Sequence, residues 1–202
     1  VIDDFVNEYR RGRTPNPCVN CNRYLKFGLL KQKSAAMGFE LLATGHYARL
    51  THENGRAVLS RPKDRHKDQT YFLYATPATV LTSLLFPLGD FTKEEVRELA
   101  RKADLPVAEK TESQDICFAD ENGYGAFLKK MGIEDHPGDI VDIQGRVRGR
   151  HEGISHFTIG QRKGLGIAAP HPLYVVRLDA EGNRVIVGPR ESLGAQELIA
   201  DQ

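Results

Sequence analysis

Three cysteines carry the strongest chemical signal in this 202-residue chain. Cys18 and Cys21 stand close together in Pro15-Asn16-Pro17-Cys18-Val19-Asn20-Cys21-Asn22, and Cys117 lies far along in Ser113-Gln114-Asp115-Ile116-Cys117-Phe118. An odd, low count argues against a disulfide framework and for metal, redox or nucleophile chemistry. A Cys-x-x-Cys pair serves as a redox couple, half of a zinc site, part of an iron–sulfur site, or a nucleophile with a helper thiol. A closed four-cysteine zinc site would need a cysteine that this chain does not have. Cys117 alone reads equally well as a small core hydrophobe. The two prolines predict an extended loop that presents both thiols, which argues against a thiol–disulfide oxidoreductase, whose pair opens a helix after a strand. Two further polar runs qualify as sites. Lys67-Asp68-Gln69 sets a cation, a carboxylate and an amide before an aromatic run, and Ile159 to Ile167 is a Gly-punctuated loop carrying Arg162 and Lys163, whose backbone can approach a phosphate. Neither a Gly-x-x-x-x-Gly-Lys-Ser/Thr loop nor a Ser-Gly-Gly-x-Asp-Ser loop occurs, so nucleotide chemistry needs residues outside this sequence.

Composition bounds what can hold these groups. With 40% hydrophobic and 27% charged residues and a net charge of +1, the chain is expected to fold as a globular protein. No apolar run reaches the roughly 18 residues of a spanning helix, and Val1-Ile2-Asp3-Asp4 is unlike a signal peptide, which predicts a cytoplasmic protein without a membrane partner. A first residue other than Met, and an end at Ala200-Asp201-Gln202 with no stop signal, predict a fragment of a longer protein. The net charge conceals segregation. Arg10 to Lys31 holds six basic residues and no acidic one, Asp90 to Glu121 holds ten acidic against five basic, and Gln144 to Gly164 holds five basic against Glu152 alone. The two basic islands read either as solvated surface or as phosphate-contacting surfaces.

The elements that must position these residues change character along the chain. Leu29 to Met37 reads as a helix stopped by Gly38, and Phe39 to Thr44 as a parallel strand covered on both faces. Gly45-His46-Tyr47 would then lie beyond the strand's carboxyl end, where open α/β sheets bind ligands. Ala57 to Ser60 and Thr70 to Tyr74 read as extended. Thr76-Pro77 opens a helix through about Leu85, and Thr92-Lys93-Glu94-Glu95 is a capping box heading the helix Lys93 to Lys102. A further helix runs from Tyr124 to Met131. Beyond Pro137-Gly138, short strands are expected at Asp139 to Ile143, Arg146 to His151, Ser155 to Gly160, Leu173 to Leu178 and Val185 to Gly188. Ala180-Glu181-Gly182-Asn183 makes a hairpin loop between the last two. The pattern predicts an α/β segment followed by a small, mainly antiparallel β domain, with a boundary between about Lys110 and Pro137.

Taken in order, Gly12 to Phe27, Ala43 to Arg49, Lys67 to Leu73, Leu105 to Phe118, Gly149 to Ile167 and Pro172 to Val176 resemble the bacterial tRNA-specific 2-thiouridylase family, which replaces the C2 oxygen of the wobble uridine with sulfur. The resemblance implies the remnant of an adenine-nucleotide hydrolase-like (PP-loop ATPase) domain over residues 1–110. It further implies a central tRNA-binding domain over 111–191, helical then mainly β, and the start of a truncated carboxyl-terminal β-barrel over 192–202. It implies ATP and Mg2+ as cofactors, and as partners the tRNA anticodon stem-loop and a persulfide or sulfide donor protein. By the same resemblance Cys21 is the nucleophile and Cys117 carries the persulfide. Cys18 stands where many members have an acid/base Asp, and reads either as that acid/base position or, with Cys21 and Cys117, as an iron–sulfur ligand. Gly45 would contact ATP. Asn16, Pro17, Cys18, His46, Lys67, Asp68 and Gln69 would meet the tRNA around an extruded base, and the basic islands, Arg162 and Lys163 included, would bracket its backbone. A non-catalytic RNA-binding module and an iron–sulfur- or zinc-binding module are the competing readings.

Overall fold

The computed structural model describes residues 1–110, 116–119 and 123–194, which form two compact units. In chain order the regular elements are α1 (Ile2–Arg10), α2 (Pro17–Asn20), a π-helical segment (Cys21–Leu30), α3 (Lys31–Ala36), β1 (Leu42–Ala43), β2 (Arg49–Glu53), β3 (Arg56–Ser60), α4 (Ala78–Leu81), β4 (Leu84–Leu85), α5 (Lys93–Lys102), α6 (Gly123–Lys130), β5 (Gly138–Asp142), β6 (Val147–His151), β7 (Tyr174–Asp179) and β8 (Arg184–Gly188). Short 3-10 turns link them.

One unit spans Asn16–Gln114. Its core gathers Phe27, Ala48, Leu73, Leu81, Leu84 and Phe86, from the π-helical segment, the loops and the small strands. β1 pairs in parallel with β4, Leu42 opposite Leu84. The strand expected over Phe39 to Thr44 is only these two residues long, and Phe39 and Leu41 are exposed, so the expected burial on both faces is not met among the described residues. The helix expected from Pro77 to Leu85 stops at Leu81 for a local reason. Thr82 and Ser83 turn their hydroxyls back onto the carbonyls of Thr79 and Val80, which competes with helix continuation and frees Leu84 and Leu85 to pair. Thr76 does not cap it; Pro77 holds the N-cap position without a side-chain bond. β2 and β3 form a hairpin across Asn54-Gly55, both at positive φ, as a two-residue type I′ connection requires. α5 carries the expected capping box, Thr92 accepting from the Glu95 N–H and Glu95 accepting from the Thr92 N–H.

The other unit joins Ile2–Pro15 to Asp115–Gln202. Phe5, Val6 and Tyr9 of α1 pack with Leu128 of α6 and with Ile116 and Phe118. The sheet runs β6-β5-β8-β7, with β5 parallel to β8 and the outer pairs antiparallel. Ile140, Val175, Val185 and Val187 form its buried face with Phe157 and Leu165. Ser155 to Gly160, expected as a strand, is a 3-10 turn at Ile154–His156 and then loop. Of the expected barrel start over 192–202, residues 192 and 193 end the 3-10 turn Arg190–Leu193, and 195–202 lie outside the described residues.

Two tight packings fix this sheet. The buried Asp142 carboxylate accepts from the Gln144 and Arg146 N–H groups and from the Arg146 and Arg148 guanidiniums. Burial alone would raise its pKa, but these donors outweigh that push and hold it down to about 2. At Gly138 a Cβ would stand 2.1 Å from the Asn183 carbonyl oxygen and 2.7 Å from His151 Nε2. The first neighbour is backbone and cannot step aside, so Gly138→Ala is expected to cost about 3 kcal/mol or more, read as a lowered urea midpoint.

Candidate functional site

Asn16 is extended, as a residue before proline must be, and Pro17 follows at the first helical position, where its missing N–H costs nothing. Cys18 and Val19 complete the turn, and the Cys21 N–H donates to the Pro17 and Cys18 carbonyls. The extended loop expected here is therefore a helix start. The second proline begins the helix instead of breaking it, and the pair of thiols lies in the opening turns, the placement that the sequence reading had denied it. Three residues apart on a helix, Cys18 and Cys21 share one face. Cys18 is exposed and Cys21 half-buried. From Cys21 onward the helix is wound wider, with the Lys31 N–H reaching the Lys26 carbonyl five residues back. Such π-helical winding is frequent at functional sites. Asn22, buried beside Cys21, donates through Nδ2 to the Phe72 carbonyl at 3.0 Å and so ties this helix to the segment that carries Lys67, Asp68 and Gln69.

That segment is built around its own polar groups. Asp68 accepts from the Thr70 N–H at 3.0 Å and the Thr70 hydroxyl at 2.7 Å, and it pairs with Arg61. Burial pushes the carboxyl pKa up, but the Thr70 and Arg61 donors prevail and hold it below the usual range. Bending the chain onto Asp68 turns Thr70–Leu73 into a 3-10 helix where an extended run was expected. Gln69 pairs with Tyr47 twice: its Oε1 accepts from the Tyr47 N–H at 2.9 Å, and its own N–H donates to the Tyr47 carbonyl at 3.0 Å. A cavity of about 390 Å³ results, lined by Gly45, Tyr47, His66, Lys67, Asp68, Gln69 and Lys93. Four residues singled out from the sequence, Gly45, Lys67, Asp68 and Gln69, thus share one cavity. Tyr47, expected beside Gly45 at the strand's end, lines it too, and His66 and Lys93, which no sequence signal marks, complete its wall. Tyr47 follows His46 directly, but Lys93 lies in the α5 capping box, and no spacing signal links it to Gly45.

His46 does not line that cavity. Its ring is buried among Phe27 and Phe86, at centroid distances of 5.8 and 5.7 Å, with Nδ1 2.7 Å from the Thr44 hydroxyl. Burial, with the Lys26 charge adding to it, holds its pKa down to about 4, so the ring is neutral at neutral pH.

In the other unit Cys117 sits on a turn closed by the Ala119 N–H and the Ile116 carbonyl, at 3.0 Å. Ile116 and Phe118 on either side pack against the Phe5 cluster and anchor it, and Cys117 is exposed. It is not the core hydrophobe that the residue alone would suggest. Arg162 and Lys163 are exposed, and Arg162 lines a cavity of about 450 Å³ with Leu165, Ile167 and His171. The rest of that basic island is largely neutralised: Arg146 and Arg148 pair with Asp142, and Arg150 lies 3.8 Å from Asp139. In the first island Arg11 and Arg13 both pair with Glu8.

Among the described residues no three His, Cys, Asp or Glu side chains converge in a way that could hold a metal ion. Cys18 and Cys21 belong to one unit and Cys117 to the other. No helix of the described residues is long and apolar enough to cross a membrane.

Residues 1–121 match the family model described as tRNA methyl transferase HUP domain, and residues 125–189 match the tRNA methyl transferase PRC-barrel domain. The fold is accordingly a HUP domain, of the PP-loop ATPase-like kind, followed by a small barrel-like β domain. Among similar proteins, the tRNA-specific 2-thiouridylase MnmA 1 of Syntrophus aciditrophicus is 57% identical over 202 residues, covering 100% of this chain and 54% of that protein. The tRNA-specific 2-thiouridylases MnmA of Geobacter metallireducens and Carboxydothermus hydrogenoformans are 55% and 52% identical, each covering 99% of the chain and 55% and 56% of their own lengths. The chain spans about half the length of the curated relatives it matches. With a Cys-x-x-Cys helix braced against a polar cavity in one unit, an exposed cysteine in the other, and both domain models matched in order, the chain belongs to the tRNA methyl transferase family of HUP and PRC-barrel domains that its 2-thiouridylase relatives share.

Proposed function

We propose that this chain is part of an enzyme that replaces the C2 oxygen of a tRNA wobble uridine with sulfur. The observation that carries the reading is 57% identity over the whole chain to a relative named for that activity. The exposed or half-exposed state of all three thiols supports it, since a sulfur carrier must be reached by donor and substrate.

ATP is the activating substrate. The uridine O2 attacks its α-phosphorus and releases pyrophosphate, so that the oxygen later departs with AMP in place of a poor leaving group. Gly45, beyond the end of β1 on the wall of the Lys67–Gln69 cavity, is the residue offered to ATP, and Mg2+ would accompany the phosphates. Cys117 brings the sulfur as a persulfide taken from a donor protein. Its terminal sulfur attacks C2, AMP leaves, and C2 is joined to Cys117 through two sulfurs. The Cys21 thiolate then attacks the Cys117 sulfur and breaks the sulfur–sulfur bond. The electron pair stays on the sulfur bound to C2, giving 2-thiouridine and a Cys21–Cys117 disulfide for later reduction. In this scheme Asn16, Pro17, Lys67, Asp68 and Gln69 form the wall around the target base, and Arg162 and Lys163 hold backbone phosphate. Cys18 stands outside the sulfur path.

The test is to supply the full-length protein with tRNA, ATP and a persulfide donor and to analyse digested nucleosides by mass spectrometry. A nucleoside with sulfur in place of one oxygen, formed only with ATP, is the expected product. An added methyl group, as the family model's description would have it, or no change at all, contradicts the proposal.

A further inference from the structure

Tyr71 and Tyr74 are 66% and 70% exposed, among the most exposed large side chains in the Asn16–Gln114 unit. Their backbone, by contrast, is held firmly. Between them Leu73 is buried at 1% exposure in the core, the Phe72 carbonyl accepts from Asn22 Nδ2, and the Thr76 N–H closes onto the Leu73 carbonyl at 2.9 Å. In a 3-10 turn, side chains three residues apart eclipse one another, so the spacing of 71 and 74 puts both rings on one side. The centroids are 6.0 Å apart with the planes tilted by 45°. This turn packs against both α2 and the π-helical segment, the stretch that bears Cys18 and Cys21. On that helix the Arg23 guanidinium lies over the half-exposed ring of Tyr24, 5.1 Å from its centroid. The helical stretch is cationic, with Arg23, Lys26 and Lys31 and no acidic residue between Asn16 and Lys31, and Arg65-His66-Lys67 stands between Asp64 and Asp68 ahead of the turn.

Rigidly mounted, solvent-facing aromatic rings beside cations of one sign match the two halves of an unpaired nucleotide. The rings offer π faces to a base, and the cations attract the phosphates on either side of it. We propose that Tyr71 and Tyr74 form a stacking platform for an unpaired RNA base that neighbours the reacting uridine. This rests on the tRNA reading above and adds to it the residues that hold the loop open.

The test uses full-length protein and a fluorescently labelled anticodon stem-loop RNA, with affinity read by anisotropy and folding checked by thermal melting. Tyr71→Ala and Tyr74→Ala are each expected to weaken binding roughly five- to a hundredfold, the range of a lost base–aromatic stack. Tyr71→Phe and Tyr74→Phe keep the π face and should bind as wild type does. The same RNA with an abasic site at the stacked position should bind wild type weakly and be indifferent to the alanine substitutions. Folded alanine variants that bind the intact loop as wild type does would overturn the platform and leave the tRNA reading standing. The platform is equally overturned, in favour of a protein-docking surface, if alanine spares RNA binding but abolishes sulfur uptake from the donor protein. Failure of wild type to bind the stem-loop at all would overturn both readings.

Discussion

Cys21→Ala and Cys117→Ala are each expected to lower single-turnover formation of 2-thiouridine by more than roughly a thousandfold, with tRNA affinity little changed. The size of the effect follows from the chemistry. In the proposed scheme, without Cys117 there is no sulfur atom to deliver, and without Cys21 no internal thiolate cleaves the sulfur–sulfur bond that holds the product to the protein. Binding is spared because neither thiol supplies the cationic or stacking contacts that would grip RNA. The two variants should also stall differently. Cys117→Ala stops before sulfur reaches the uridine, whereas Cys21→Ala accumulates tRNA attached to protein through a bond that added dithiothreitol breaks. Cys18→Ala separates the persulfide scheme from a cluster scheme: it leaves two thiols intact and should retain measurable transfer. Equal loss at all three cysteines, with iron bound by the wild type, would contradict the persulfide scheme.

The second large effect is on stability. His46 is neutral in the fold because protonating it would bury a charge between Phe27 and Phe86, close to the Lys26 ammonium. Its pKa is about 4 in the folded chain and about 6.5 in the unfolded one. Between these values the unfolded state holds more protons than the folded state, so stability rises with pH across the window. The contribution is complete above about pH 6.5 and is lost as pH falls toward 4, by on the order of 3 kcal/mol in all. His151, also buried with its pKa depressed by burial, adds to the slope in the same direction. Urea unfolding at pH 7 and at pH 4.5 should therefore show a marked loss at the lower pH. A His46→Gln variant, though less stable at pH 7, should lose much less between the two. Parallel losses in wild type and variant would show that His46 is not the proton acceptor.

Parts of the fold are legible in the sequence because the deciding physics is local. The α5 capping box needs only Thr92 and Glu95, and the runs after Pro137 are short and set off by Gly-containing turns, so that four of the five expected strands match β5 to β8 within about a residue. Two readable signals went unused: Phe5, Val6 and Tyr9 on one face of α1, and Asn54-Gly55 between two strand-forming runs. Elsewhere a local rule pointed the wrong way. Thr70 to Tyr74 has strand-favouring residues, but the Asp68 carboxylate holds both the N–H and the hydroxyl of Thr70 and curls the segment. Pro17 reads as a breaker beside Pro15 but fits the first position of a helix. At the site, the residue types and order marked Cys18, Cys21, Lys67, Asp68 and Gln69. That Gly45 shares a cavity with Lys67, and that His46 turns into the core between two phenylalanines, depends on packing between segments about twenty or more residues apart, which no local pattern encodes.

Release of 2-thiouridine through a disulfide between two protein thiols can be tested in one measurement. A persulfide-loaded, full-length protein is allowed a single turnover on tRNA with ATP and no reductant, quenched with an alkylating agent, digested and mapped by mass spectrometry. A peptide pair joined through Cys21 and Cys117, formed in proportion to 2-thiouridine, is the expected result. Full 2-thiouridine formation with both cysteines recovered as alkylated thiols would contradict it.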